Sequence, residues 1–148
     1  MSSMPRSRGF TLIELLVVIT VIAILAGLVA PMVFSHVGDA KTSAARAQIE
    51  LFGLALEAYR LDNDYYPSTA QGLEALRTKR SGDPEARNWR GPYLRKTVPL
   101  DPWGRPYTYK CPGDVNPQGY DLLTYGRDGQ PGGSGEDADI TSWESARR

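Results

Sequence analysis

Two groups of residues carry whatever chemistry this chain can do. The first is one carboxylate, Glu14, near the start of an apolar run in which nothing else ionises between Phe10 and Phe34. A charged acid held in lipid costs on the order of 3 kcal/mol or more unless something compensates it. Read from the sequence, Glu14 has no ordinary structural use and calls for a partner of opposite charge. The second group is Tyr125-Gly126-Arg127-Asp128-Gly129-Gln130-Pro131-Gly132-Gly133-Ser134-Gly135-Glu136-Asp137-Ala138-Asp139-Ile140, with five glycines and four carboxylates in sixteen residues. Glycines let a backbone turn its carbonyls inward, and gathered carboxylates repel one another unless a cation sits among them. Oxygen donors on a flexible loop suit Ca2+, which takes about six to eight oxygens, better than Mg2+ or Zn2+. Counted as an EF-hand from Asp128, the loop puts Gly133 at the turn and Asp139 last. Gly132 then has no side chain at a ligand position, which excludes the EF-hand. Composition alone leaves two readings open, a cation-binding loop and an unstructured acidic Gly-rich loop.

Catalysis finds no comparable set. His36 is the only histidine and stands beside the apolar run, where a solvated role is expected. Cys111 is the only cysteine, so no intramolecular disulfide can form. No Gly-rich loop is followed by Lys-Ser or Lys-Thr, as a phosphate-binding loop requires. With 17 basic and 17 acidic residues the net charge is zero, which gives no overall pull towards nucleic acid. The basic residues between Arg77 and Lys110 and the acidic tail from Asp121 to Glu144 read as solvated surface.

The elements that must position these groups follow from periodicity. The run from Phe10 to Phe34, at about 1.5 Å per helical residue, is long enough to cross a hydrocarbon core of about 30 Å. Arg6 and Arg8 precede it and place its N-terminus on the cytoplasmic side. Gly9 is the one small residue suited to a cut before the run. Cutting there would remove a basic leader, residues 1–9, and keep the hydrophobic helix, whereas an ordinary signal anchor would stay uncut. Past Pro31, which is expected to kink or loosen the helix, Ala45, Ile49, Phe52, Leu56 and Tyr59 recur at steps of three and four. Arg46, Glu50, Glu57 and Arg60 face elsewhere, the pattern of a helix packed on a domain by one face. The helix should run to about Leu61, with Asn63, Asp64 and Pro67 as its stop, some fifty residues in all.

A short second helix is expected at about Ala70 to Lys79, capped by Ser68 or Thr69. Prolines and glycines make residues 81–106 a loop, pinned by Trp89, Tyr93, Leu94 and Trp103. Strands are expected at Tyr107 to Cys111 and Tyr120 to Tyr125, forming a hairpin, with a third near Ile140 to Trp143. The fold class is α+β: a long N-terminal helix, half apolar and half amphipathic, packed on a small antiparallel sheet with a C-terminal candidate Ca2+ loop. The domains are a leader at 1–9, a membrane or filament-core helix at 10–34, and an outer domain at 35–148.

The segment Gly9-Phe10-Thr11-Leu12-Ile13-Glu14-Leu15-Leu16-Val17-Val18-Ile19 resembles the processing site of type IV pilin-like proteins. The resemblance implies cleavage between Gly9 and Phe10 by a prepilin peptidase and N-methylation of Phe10. A methylated amine stays charged, so Phe10 of one subunit would neutralise Glu14 of the next inside a helical bundle. Further along, Tyr66-Pro67-Ser68-Thr69-Ala70-Gln71-Gly72-Leu73-Glu74-Ala75-Leu76, Trp89-Arg90-Gly91-Pro92-Tyr93-Leu94 and Asp101-Pro102-Trp103-Gly104-Arg105-Pro106-Tyr107 carry a more specific likeness. Together with Tyr120-Asp121-Leu122 and Gly126-Arg127-Asp128-Gly129, they resemble the major pseudopilins of type II secretion.

That resemblance implies a C-terminal Ca2+ site built from the carboxylates of Asp128 and Asp139, the carbonyls of Tyr125 and Gln130, and Thr141, with Glu136 and Asp137 solvated. The loop from Ser81 to Arg87 and the Arg147-Arg148 end have no clear counterpart. It also implies a periplasmic filament of copies of this chain that helps export folded proteins across the outer membrane, with no enzymatic activity. Its expected partners are minor pseudopilins, an inner-membrane assembly platform with its ATPase, and an outer-membrane secretin; nucleic acid is not among them. A type IV pilin for adhesion, motility or DNA uptake is the alternative, although such pilins commonly carry two C-terminal cysteines. A membrane-anchored periplasmic module is a further alternative, and it would keep its leader.

Overall fold

The computed structural model describes residues 9–144, without the side chains of residues 30–35. The leader basic residues Arg6 and Arg8 and the Arg147-Arg148 end lie outside the described residues. The chain divides into two units, Met1–Val37 and Gly38–Arg148.

One helix, α1 (Leu12–Asn63, 52 residues), carries the whole N-terminal part of the sequence. Its start is a reciprocal cap. The Thr11 hydroxyl accepts from the Glu14 amide at 3.3 Å, and Glu14 Oε2 accepts from the Thr11 amide at 3.2 Å. Such a capping box satisfies two of the donors that every helix N-terminus leaves open. The window Leu12–Val29 has a mean hydropathy of 2.9 and none of it is buried, which makes it long and apolar enough to cross a membrane. Within it the Thr20 hydroxyl donates to the Leu16 carbonyl at 2.7 Å, so its one neutral polar side chain is satisfied internally. The loosening expected at Pro31 falls where no side chains are described.

At its other end α1 stops as the sequence suggests. Asp64 takes the left-handed conformation (φ 71°) and its amide closes on the Arg60 carbonyl at 2.7 Å. That geometry ends helices by folding the chain back over the last turn. Between these ends Ala45, Ile49, Phe52, Leu56 and Tyr59 are all buried, as their spacing predicts, against Leu73, Leu76, Ala86, Leu122 and Ile140. Phe52 meets Tyr107 edge-to-face at 5.2 Å between ring centres.

The expected second helix is only a 3-10 turn, Leu73–Leu76. Three diversions explain the difference. Gly72 enters with φ 64°, the Thr69 hydroxyl accepts from the Cys111 amide at 2.9 Å instead of capping, and the Leu76 carbonyl accepts from Tyr93 at 2.7 Å. Long-range partners thus take the groups a longer helix would use.

The sheet is antiparallel, in the order β1 (Thr108–Lys110), β2 (Asp121–Thr124), β3 (Ile140–Thr141). Tyr109 pairs with Leu122, and Thr124 with Ile140. All three strands are shorter than their sequence patterns. β1 ends where Cys111 turns to Thr69, and residues 113–119 wrap around one carboxylate. Asp121 accepts from the amides of Asp114 (2.7 Å), Val115 (2.9 Å) and Asn116 (3.0 Å). The expected anchors hold: Trp89, Tyr93, Leu94 and Trp103 pack against the core, and Trp89 Nε1 donates to the Ala75 carbonyl at 3.0 Å.

Candidate functional site

At the N-terminal site, Gly9 and Phe10 precede the helix, and Phe10 is 85% exposed. Glu14 is exposed in the first turn among exposed apolar neighbours. The sequence reading denied this carboxylate an ordinary structural use, and the structure corrects that. Glu14 closes the capping box with Thr11, accepting from the Thr11 amide and, at 3.3 Å, from its hydroxyl. The signal lay in the sequence as Thr-x-x-Glu before an apolar run. A carboxylate so placed also lies at the positive end of the helix dipole. The cap leaves room for a cation, because a carboxylate has about four acceptor positions.

The C-terminal site is the connection between β2 and β3, residues 125–139. Gly126 explains why the loop needs glycine: its φ is 65°, and a Cβ there would stand 2.7 Å from the Glu136 carbonyl and 2.8 Å from that of Ala138. The loop closes on itself at the same point, where the Arg127 amide donates to the Glu136 carbonyl at 2.8 Å. Arg127 then grips Asp137 with two parallel bonds, Nε to Oδ1 at 2.8 Å and Nη2 to Oδ2 at 2.9 Å. These bonds hold the Asp137 carboxyl below the usual carboxylate range. Glu136 lies against Gly38 of α1, where any side chain would collide with it. Asp137 is therefore paired with Arg127 rather than merely solvated, and Glu136 is half-buried against Gly38.

The predicted ligand residues sit in this frame. Asp128 Oδ1 accepts from the Gln130 amide at 3.0 Å, and Asp139 Oδ2 accepts from the Gly132 amide at 3.0 Å. The remaining Asp139 oxygen, Oδ1, and the Thr141 hydroxyl are buried without a hydrogen-bond partner. Buried polar oxygens left in that state are rare and costly. Unpartnered oxygens are the donor type a hard cation such as Ca2+ takes. Tyr125 is half-buried and follows β2 directly. Among the described residues no three His, Cys, Asp or Glu side chains gather as metal ligands. A cation site here would have to use carbonyl and hydroxyl oxygens beside two carboxylates.

Asp101 is the positioning residue the sequence reading passed over. Its buried carboxylate accepts from the amides of Trp103 (3.0 Å) and Arg105 (2.8 Å) and from the Thr124 hydroxyl. The turn so formed aims Arg105 at the loop, where Nη1 donates to the Gly126 carbonyl at 2.9 Å. The signal was the Asp-Pro-Trp-Gly turn, in which an aspartate bonds to amides two and more residues on. His36 is exposed and Cys111 is half-buried with a free thiol, raised above its ordinary range by burial.

A membrane-length helix with a capped acid at its start, running on into a spine for a small antiparallel sheet, defines a subunit built to pack by its helix. Residues 32–143 match the family described as type II secretion system (T2SS), protein G, and residues 4–30 match the prokaryotic N-terminal methylation motif. The chain belongs to the type II secretion system protein G family. It is 48% identical over 140 residues to the type II secretion system core protein G of Pseudomonas aeruginosa, covering 95% of this chain and 97% of the relative. It is 44% identical over 144 residues to that of Vibrio cholerae, covering 97% and 96%. The crystal structure of the major pseudopilin from the type 2 secretion system of enterohaemorrhagic Escherichia coli superposes with a TM-score of 0.60 at 36% identity, covering 72% of this chain and 89% of that one. These matches support the pseudopilin resemblance drawn from the motifs, not the type IV pilin alternative.

Proposed function

We propose that this chain is the major structural subunit of a type II secretion pseudopilus, a periplasmic filament that helps move folded proteins across the outer membrane. The observation that carries this reading is the exposed apolar face of α1 bearing Glu14. Leu12, Ile13, Leu15 and Leu16 are 52–84% exposed around it, a surface that requires lipid or other helices. A prepilin peptidase cuts between Gly9 and Phe10, and methylated Phe10 keeps a positive charge. In the filament that ammonium meets Glu14 of a neighbouring copy. Removing one partner of such a buried pair costs about 3–5 kcal/mol, enough to set the stagger between subunits.

The outer unit faces the periplasm, with the apolar helix anchored in the inner membrane before assembly. The inner-membrane platform and its ATPase, minor pseudopilins and the outer-membrane secretin are its partners. Asp128, Asp139, Thr141 and the carbonyls of Tyr125 and Gln130 hold Ca2+. The ion, when bound, neutralises the two carboxylates and links the loop to β3.

The mass of the full chain extracted from membranes tests processing: loss of Met1–Gly9 with gain of one methyl group is expected, and a retained leader refutes it. A pair of variants then separates the two uses of Glu14. Glutamine still serves a capping box but carries no charge. Both Glu14→Ala and Glu14→Gln are expected to abolish filaments and secretion. Normal filaments from Glu14→Gln would reduce Glu14 to a cap and remove its assembly role.

A further inference from the structure

The C-terminal end of α1 borders a cavity of about 450 Å3, walled by Asn63, Asp64 and Tyr65 on one side and by Asp83, Glu85 and Arg87 on the other. None of these residues belongs to the processing motif or to the candidate Ca2+ loop. Three carboxylates here meet one basic group. Arg87 lies 3.5 Å from Glu85 with both side chains largely exposed, and exposed pairs of this kind contribute little. The end of α1 deepens the shortage of positive charge, because a helix C-terminus carries about half a negative charge.

A buried acceptor in the wall adds to the demand. Asn63 is 5% exposed. Its Nδ2 donates to the Tyr59 carbonyl at 3.0 Å, while its Oδ1 is buried with no hydrogen-bond partner. Most buried polar atoms are paired, so this wall offers an unmet acceptor beside the acids. The opposite wall is held in advance. The Tyr65 hydroxyl donates to the Glu85 carbonyl, Gln71 Nε2 donates to the Pro84 carbonyl at 2.9 Å, and Ala86 is fully buried in the core. A wall fixed before binding loses little ordering entropy when the cavity fills.

The class of ligand follows from size and donors. Among the described residues no three His, Cys, Asp or Glu side chains gather as metal ligands. A bare divalent ion needs oxygens at about 2.0–2.6 Å, far closer than the walls of such a cavity. A cation that fills it must carry its own donors on an extended body. A lysine ammonium has three donors and an arginine guanidinium five, each on an apolar stem. Tyr65 and Pro84 give that stem a surface to lie on.

We propose that this cavity receives a lysine or arginine side chain of a partner protein other than a second copy of this chain. Its outer wall, residues 83–87, lies between the motifs that carry the family likeness, 66–76 and 89–94. The site therefore suits a contact particular to this chain, and it stands independently of the filament reading.

The test titrates the full chain in detergent with Nα-acetyl-lysine amide, Nα-acetyl-arginine amide and the uncharged Nα-acetyl-norleucine amide. Amide NMR signals of residues 63–65 and 83–88 report binding. The basic probes are expected to shift them saturably and the norleucine probe to leave them in place. Asp83→Asn combined with Glu85→Gln is expected to weaken binding about tenfold, two exposed ion pairs being lost. Asp114→Asn, at an exposed acid elsewhere, leaves it unchanged. Norleucine binding as well as lysine, or no saturable shift, overturns the site. The same local shifts from Ca2+ at lower concentration overturn it in favour of a metal. Should the double variant fail to accumulate, the norleucine comparison in the wild type decides. In cells with the complete secretion system, a photo-crosslinking residue in place of Asn88 is expected to join another protein beside one of its lysines or arginines. The double variant is expected to reduce that product. Linkage to copies of this chain only overturns the partner assignment, and probe binding without any protein linkage overturns it in favour of a free amine.

Discussion

The two units of this chain solve opposite problems. The N-terminal apolar half of α1 pairs the backbone groups of its interior by itself and leaves its side chains uncovered, none of the Leu12–Val29 window being buried. The outer unit buries a core of side chains but has little backbone pairing outside α1, with only nine residues in three strands. Side chains supply what the short strands do not. Asp121 takes three amides and Asp101 two. A helix can wait in lipid for other helices because its hydrogen bonds are internal. A loop-rich domain must complete its polar network within one chain, since unsatisfied buried groups cost too much.

High pH should divide the two halves most widely. Burial raises Tyr59, Tyr107 and Tyr120 from about 10 to about 12, and Tyr109 also titrates higher because of burial. A raised folded value means the stabilisation is whole below pH about 10 and is lost as pH rises through about 12. Circular dichroism in detergent should show the outer unit unfolding in that window while the tyrosine-free apolar helix persists. Simultaneous loss of both would break the contrast.

Core truncation comes next. Phe52→Ala should destabilise the outer unit by about 3–5 kcal/mol, whereas Leu16→Ala should not change its denaturant midpoint. Calcium removal follows. With free Ca2+ at about a hundred times its dissociation constant, chelation should cost about 2.7 kcal/mol, read as a lower melting temperature. Asp139→Ala should abolish that response, and a melt indifferent to chelator in the wild type would remove the ion from the proposal. Smallest is Thr11→Val, which removes the cap's hydroxyl and should cost the first turn of α1 about 1 kcal/mol. Amide exchange at residues 12–15 would show it, with the outer unit unaffected.

Particular residues show where sequence reading succeeds. The buried stripe from Ala45 to Tyr59 and the stop at Asp64 were legible because helical periodicity and chain reversal are local. The β1–β2 hairpin was legible because its strands follow one another with turn residues between them. The helix expected at Ala70 to Lys79 is shortened to a four-residue 3-10 turn, Leu73–Leu76, because its would-be cap bonds to a residue 42 positions away. Among the candidate site residues, composition marked four loop carboxylates alike, and the family resemblance singled out Asp128 and Asp139. The roles of Arg127 on Asp137, of Asp101 behind Arg105 and of Gly38 beneath Glu136 were not legible, because each depends on contacts between distant segments.

By itself the sequence determined a helix of some fifty residues, its apolar and amphipathic halves, and the α+β plan. These follow from spacing and composition, which act over a few residues. Only the tertiary structure decided that Asp139 and Thr141 each keep a buried oxygen unpartnered and that Leu51, Leu54 and Leu61 of α1 stay exposed. Each of those depends on which atoms the folded chain brings together or leaves apart, and no local pattern encodes that.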